Sequence, residues 1–336
     1  MDEKILQHFH QSISQHRDVL KTWLNSDNAS KDIHLGNSSI KDVMSIVSEF
    51  KELLEKIDNR SYGKCDICHE DIETERLESD CTTNICLDCY SENQLRDLER
   101  DLELAAKVQQ QLLPCCTPSM ESVQIAIRSK PARVVSGDYY DFFSLQSGSQ
   151  GIAIGDVMGK GLPSSMLMSN LQASLRILGP DYENLAELAF HLNKLFRFNL
   201  KLIKFISLFL GSIDLESRLF TYCNAGHHSP LFLQAKNNSI NWLAPTAPAI
   251  GLIRDANFGS ASINFKEQDI IVLYTDGLVE ARDKNREEYG EKRLAVTVQN
   301  HKNNTSEELL SAIWNDVSVK GGNITDDMTL MVIKFI

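Results

Sequence analysis

Apolar positions along this chain follow three rhythms, and each predicts a different kind of element. Between residues 4 and 24, Ile5, Leu6, Phe9, Ile13, Leu20, Trp23 and Leu24 fall close to one stripe of a 3.6-residue turn, which predicts a first helix. A polar stretch, NSDNASKDIHLGNSS, interrupts it. Ile40, Val43, Val47, Phe50, Leu54 and Ile57 then recur at alternating steps of three and four, the spacing of a heptad seam. Ser39 and Asp42 give this second helix a start like a capping box, with Asp in place of the usual Glu or Gln. Two such helices joined by a polar turn predict an antiparallel hairpin over residues 1–60, about 30 Å long at about 1.5 Å per residue. A small helical bundle is the alternative.

The second rhythm is a linker helix over 93–114, where Leu95, Leu98, Leu102, Ala105, Gln109 and Leu112 repeat the a/d spacing until Pro114 stops it. The third is that of strands. FISLFLGSID, LFTYCNAG, PLFLQA, DIIVLYTDG and MTLMVIKFI are short β-type runs, separated by turn residues and interrupted by helical segments. Residues 115–336 are therefore expected to form one α+β domain with many antiparallel strands. No repeat or low-complexity tract interrupts the pattern.

Composition narrows the function. The chain has 336 residues, of which 42% are hydrophobic, enough for one large domain and a smaller one. A formal charge of −12 opposes non-specific attraction to nucleic acid or to an anionic membrane. No apolar run reaches the roughly 18–20 residues of a spanning helix, and MDEKILQHFHQ lacks a signal-peptide core, so a cytoplasmic protein is expected.

In a reducing compartment the eight cysteines call for a reason other than disulfides, and five of them lie between Cys65 and Cys89. CDIC (Cys65–Cys68) and CLDC (Cys86–Cys89) are separated by seventeen residues, the spacing of a structural zinc site. Two knuckles with two thiolates each suit one tetrahedral Zn²⁺, with rubredoxin-like iron as the alternative; His69, Cys81, Cys115 and Cys116 fall off the spacing. The segment EKIDNRSYGKCDICHEDIETERLESDCTTNICLDC resembles the DksA/TraR-type zinc finger, which follows a helical arm, and places this module at 61–92. That family acts on RNA polymerase through an acidic coiled-coil tip, and SDNA at Ser26–Ala29 lies where a tip would be. Polymerase binding is carried here as a rival to a structural or signal-sensing module.

GDVMGKGLPSS, from Gly155 to Ser165, looks like a phosphate loop, yet three residues rather than four separate Gly155 from Gly159, and Ser164 stands where a dinucleotide loop has its third small residue. Its distinguishing residue is Asp156, directly after the apolar run IAI. Three more acidic motifs share the strand–turn setting: SGDYYDFF with Asp138, LYTDGLVEAR with Asp276, and TDDMTLMVIKF with Asp326 and Asp327. Several carboxylates that would repel one another become favourable around hard cations such as Mg²⁺ or Mn²⁺.

In this order, with AAKVQQQLLP before them and NAGHHSP (Asn224–Pro230) between them, the motifs resemble the SpoIIE/RsbU branch of the PPM-type metal-dependent serine/threonine phosphatases. The resemblance covers about residue 100 to the end. It implies an α-β-β-α sandwich and a site with two Mn²⁺ or Mg²⁺ ions. Asp156 would bridge both; Asp138 and the carbonyl of Val157 would join it on one; Asp276 and Asp326 would hold the other, with Asp327 beside them as the less certain ligand. It also implies a phosphoprotein substrate, a STAS-type anti-sigma-factor antagonist. Cys223 and Ser136 have no place in such chemistry, Lys160 reads as a surface lysine, and His227 as structural before catalytic. Ser164 and Ser165 replace alanines common after the proline. The linker seam, with Gln109 as its polar position, is expected to pair in a homodimer. The rival from another class is a non-catalytic zinc adaptor.

Overall fold

In the computed structural model, residues 40–336 are described apart from 80, 160, 200–204, 254, 283–286 and 321–325, together with part of 6–18. The turn of the expected hairpin, the SDNA segment and Lys160 lie outside the described residues. The chain divides into two compact units, Met1–Glu99 and Arg100–Ile336.

In the first unit, helix α1 (Ile40–Asp58) uses the apolar seam read from its sequence: Leu54 and Ile57 are buried with Phe9 and Ile13, so the first helical stripe and the second share one small core. Tyr62 closes that core, its ring 5.4 Å from that of Phe9 and its hydroxyl donating to the carbonyl of Cys81. Helix α2 (Thr74–Ser79) lies between the two cysteine pairs.

Helix α3 (Glu92–Leu112) runs from the first unit into the second. The second unit is a two-sheet sandwich. Strands β1 (Val123–Lys130), β2 (Asp138–Ser144), β3 (Gln150–Val157), β4 (Ile206–Asp214), β5 (Leu219–Ala225), β6 (Leu231–Gln234), β7 (Ser239–Trp242), β8 (Ala261–Asn264), β9 (Ile270–Tyr274) and β10 (Met328–Phe335) pair antiparallel throughout. One sheet has the order β2-β3-β4-β5-β8 and the other β1-β10-β9-β6-β7. Helices α4 (Leu162–Leu178) and α5 (Leu185–Asn199) cover the outer face of the first sheet; α7 (Gly290–Asn300) and α8 (Ser306–Lys320) cover that of the second, after the single-turn α6 (Asp276–Val279). The α-β-β-α expectation is met.

Strand alternation sends every second side chain between the sheets. Phe142 and Tyr140 of β2, Ile152 and Ile154 of β3, Phe209 of β4, Ile271 and Leu273 of β9, and Met331 and Ile333 of β10 meet there in one apolar layer. Continuing each inward row by two residues gives Asp138, Asp156, Ser207, Thr275 and Thr329. The rows turn from apolar to polar at one end of the sandwich, and this change of chemistry on a fixed parity creates the site.

Candidate active site and zinc module

Asp138 and Asp156 are direct partners across β2 and β3, so their side chains lie side by side on the inner face. The opposite sheet reaches Asp138: the hydroxyls of Thr275 and Thr329 both donate to its Oδ2, at 2.8 and 2.6 Å. The threonines are themselves tied together, Thr329 N–H donating to Thr275 Oγ1 at 2.9 Å. The other oxygen of Asp138, Oδ1, is buried without a hydrogen-bond partner. Burial first, and then the Asp156 charge, push the Asp138 carboxyl well above the usual carboxylate range against the pull of the two threonines. A buried carboxylate oxygen with no donor costs about 1–3 kcal/mol or more. A hard cation beside two such carboxylates removes that cost, so the residues present fit the divalent ions expected from the sequence.

Asp276 opens α6, and the chain must come very close to Asp326–Asp327 to place it there. A Cβ on Gly277 would stand 2.0 Å from the carbonyl oxygen of Asp327, which only glycine permits. Gly137 is similarly confined: a Cβ there would lie 3.0 Å from the Val157 carbonyl oxygen and 3.3 Å from Ser164. The structure thus brings Asp138, Asp156, the Val157 carbonyl, Asp276 and Asp326 to the same end of the sandwich.

Both oxygens of Asp327 hold main-chain N–H groups. Its Oδ1 accepts the N–H of Ala132 and its Oδ2 the N–H of Gly137, both at 2.7 Å, so the carboxylate organises the loop that delivers Asp138. Ser136, expected to be a bystander in the chemistry, is another part of that delivery: its hydroxyl accepts the N–H of Asp138 at 3.0 Å. Its own main chain is clamped by the buried side chain of Gln109, which donates to Ser136 O at 2.6 Å and accepts from Ser136 N at 3.0 Å. Gln109 therefore spends both side-chain polar atoms within its own chain, although its spacing reads as the polar position of a seam. Ser164 and Ser165 donate to the carbonyls of Gly161 and Leu162 in their own helix, so α4 accommodates them as it would alanines.

Sequence reasoning missed Thr275 and Thr329. Their signal was present: Thr275 directly precedes Asp276 in YTDG and Thr329 follows Asp327 by two residues in DDMT, each on the inward parity of its strand.

The cysteine module is local by comparison. The sulfurs of Cys65, Cys68, Cys86 and Cys89 all lie within 4.8 Å of one another, as a tetrahedral Zn²⁺ site requires. Cys81, His69, Cys115 and Cys116 are not in that group. The knuckles are linked by Asp66 N–H donating to Asn84 O at 2.8 Å. Desolvation works against the Cys65 thiolate, but the main-chain N–H groups of Cys68, Cys86 and Ile67 outweigh it and lower the thiol to about 6, favouring the form that binds metal. Glu73 and Arg76 of the intervening segment hold the second knuckle. Glu73 accepts from Leu87 N at 3.0 Å, and Arg76 donates to Ile85 O at 2.7 Å and to the Tyr90 hydroxyl at 2.6 Å.

A two-sheet sandwich with helices on both outer faces and acidic residues gathered at one end is the architecture of a metal-dependent serine/threonine phosphatase of the PP2C type. The sequence profile of Stage II sporulation protein E (SpoIIE) matches residues 146–336, and the chain belongs to that family. It is 29% identical over 241 residues to the phosphoserine phosphatase RsbU of Bacillus subtilis, a match that covers 71% of each chain. Among solved structures, the RsbU and RsbW domains of Rv1364c from Mycobacterium tuberculosis superpose with a TM-score of 0.59 at 25% identity, covering 67% of this chain and 63% of that one. A shorter likeness is also found: 52 residues are 33% identical to the RNA polymerase-binding transcription factor DksA of Haemophilus influenzae, covering 16% of this chain and 36% of that protein.

Proposed function

We propose that the chain is a regulated phosphoprotein phosphatase that acts on phosphoserine or phosphothreonine through a binuclear Mn²⁺ or Mg²⁺ site. Asp138, Asp156 and the Val157 carbonyl would hold one ion, and Asp276 and Asp326, with Asp327 beside them, the other, Asp156 being the residue that would serve both. The observation that carries this reading is the buried, unpartnered Oδ1 of Asp138, beside Asp156 and at the junction of both sheets. When bound, the ions supply Lewis acidity that lowers the pKa of a water toward neutrality and offsets charge on the phosphoryl oxygens. The protein's part is orientation. Thr275 and Thr329 fix one face of Asp138; Gly277 lets Asp276 approach the Asp326–Asp327 turn; Asp327 and Ser136 set the loop between β1 and β2.

The substrate that fits the branch is a phosphorylated STAS-domain antagonist. Residues 1–60 and 61–92 serve as a helical arm and a zinc finger holding one Zn²⁺ through Cys65, Cys68, Cys86 and Cys89. Residues 93–114 act as a linker that pairs with a second copy, and 115–336 as the catalytic domain. No helix among the described residues is long and apolar enough to cross a membrane.

The test is turnover of p-nitrophenyl phosphate and of a phosphorylated STAS protein with and without Mn²⁺. Mn²⁺-dependent release of phosphate is expected from the wild type, and Asp156→Asn should lower it by about 10³-fold or more, roughly 4 kcal/mol of barrier, with an unchanged far-UV spectrum. Full turnover in that variant removes Asp156 from the bridging role.

A further inference from the structure

His227 is the second buried side chain, among the described residues, with an unpartnered polar atom. It is 3% exposed, its Nδ1 lies 2.9 Å from Ser207 Oγ, and its Nε2 has no hydrogen-bond partner. The turn that presents it is tightly built. Asn224, fully buried, accepts the His227 N–H at 2.8 Å through its side-chain oxygen and donates through its side chain to Leu243 O at 3.2 Å; its own N–H donates to Thr246 Oγ1 at 3.0 Å. Gly226 follows with φ of 68°, where a Cβ would come within 2.8 Å of Ala249 N. These partners fix the main chain of the turn from which the imidazole projects.

The partner of His227 matters because of its register. Ser207 is paired directly with Asp156 across β3 and β4, so the two side chains are neighbours on the inner face, with Cβ atoms about 4.5–5.5 Å apart. The strands are held close at this point: a Cβ on Gly155 would meet Ser207 O at 2.8 Å. Burial, and then His228, hold the His227 pKa down to about 3, with the main chain of Tyr274 acting in the opposite direction. Tyr274 immediately precedes Thr275 and Asp276 on the other sheet. The turn that carries His227 meets this strand directly, the Tyr274 hydroxyl donating to Ser229 O at 3.2 Å and its ring lying 5.9 Å from that of His228, so the turn links the strand end that carries Asp156's neighbour with the strand end that leads to Asp276.

We propose that His227 is a positioning residue for the binuclear site, bracing the two strand ends and holding, through Ser207, the wall against which Asp156 is set. This rests on the phosphatase reading, and it assigns His227 to cation affinity rather than to proton transfer. The Nδ1–Ser207 contact gives a polar ring a reason to be buried at a place that an apolar residue would otherwise fill at lower cost.

The experiment is calorimetric titration of the full chain with Mn²⁺ for the wild type, His227→Asn, Ser207→Ala and the double variant, alongside turnover at saturating Mn²⁺. Each single variant is expected to weaken Mn²⁺ binding about tenfold, equivalent to about 1.4 kcal/mol. The double variant should be no weaker than the poorer single one, because both act through one contact. Turnover at saturating Mn²⁺ should stay within about threefold of wild type. Wild-type affinity in both single variants overturns the inference, as does an additive double variant. Loss of turnover in His227→Asn with Mn²⁺ binding intact overturns it in favour of a role on the reacting atoms. Should His227→Asn fail to fold, Ser207→Ala, which removes only a hydroxyl, decides alone. A wild type that binds no Mn²⁺ brings down the phosphatase reading itself, a result distinct from any difference among variants.

Discussion

The cysteine module and the aspartate site solve opposite problems with metal-type ligands. The four cysteines come from a single stretch, Cys65 to Cys89, and each knuckle is shaped by its own turn. The aspartates span Asp138 to Asp326: Asp138 and Asp156 lie on strands of one sheet, Asp276 just after β9 and Asp326 just before β10 of the other, so both sheets must be in place to gather them. The first is a site around which a small unit folds; the second is a site that a finished fold holds open. Their chemistry follows the same division. The Cys65 thiol is lowered by nearby N–H groups while burial and the neighbouring thiols raise those of Cys86 and Cys89, so one early thiolate starts the cluster; the buried Asp138 carboxyl is kept from ionising by burial and by Asp156.

The contrast is sharpest in what removing the metal does. Apparent zinc binding free energies of about 10–16 kcal/mol make such a site part of folding, and the core beside it is small. Chelation of zinc, or Cys86→Ser, should abolish the thermal transition of the N-terminal unit while leaving the Arg100–Ile336 transition in place. Differential scanning calorimetry checks this; one cooperative loss of both transitions breaks the comparison. Withdrawal of Mn²⁺, by contrast, should leave both transitions present.

A smaller effect is expected from the backbone of the aspartate site. Gly277→Ala forces a Cβ against the Asp327 carbonyl, so the chain must shift. Overpacking of this kind costs about 1–3 kcal/mol. Because Asp276 moves with it, turnover should fall about 100-fold, far beyond what the stability loss explains. Steady-state kinetics beside a urea melt separate the two; a loss of stability with normal turnover would mean that Asp276 is not positioned by this contact.

Smaller still is the electrostatic strain at Asp138. Its folded pKa is raised, so without cations the native state holds a proton that the unfolded chain releases, and the stability this gives is full below about pH 3.9 and declines as pH rises through the folded value. Asp138→Asn should make the metal-free protein about 1–2 kcal/mol more stable than wild type at neutral pH, with the gap closing below about pH 4, while Mn²⁺ no longer raises its melting temperature. Melting curves from pH 3.5 to 8 test the sign.

The least energetic test concerns the linker. Leu98 is 42% exposed on a helix whose apolar spacing suits a partner helix. Leu98→Glu with Leu102→Glu should shift a micromolar dimer to monomer in light scattering, with altered basal turnover. A wild type already monomeric at that concentration removes the linker as the pairing element.

The two sites were not equally legible in the sequence. Spacing alone identified the four cysteines, because their geometry is local. The aspartates could be read because each stands at a junction of strand and turn and because the order of their four motifs resembles one phosphatase branch; β4, β5, β6, β9 and β10 fall within the apolar runs of the sequence. The supporting shell was not legible. Adjacent Asp326 and Asp327 look like two ligands, yet one faces main-chain N–H groups of a loop almost two hundred residues earlier. The contact of His227 with Ser207 depends on the pairing of β4 with β5, and the reach of Gln109 to Ser136 on how a helix docks. Parity and heptad spacing predict which face a residue takes and do not predict its distant partner.

The Gln109 clamp also bears on where the catalytic body can be cut from the rest of the chain. A fragment begun at residue 115, where the composition changes to strands, would remove the side chain that satisfies both main-chain polar groups of Ser136, two residues before Asp138, together with the Leu112 carbonyl that accepts from Gln172 of α4. A fragment begun near Arg100 keeps all three hydrogen bonds. The last turns of the helix that reads as a connector are thus, in manufacturing terms, part of the casting rather than a fitting attached to it.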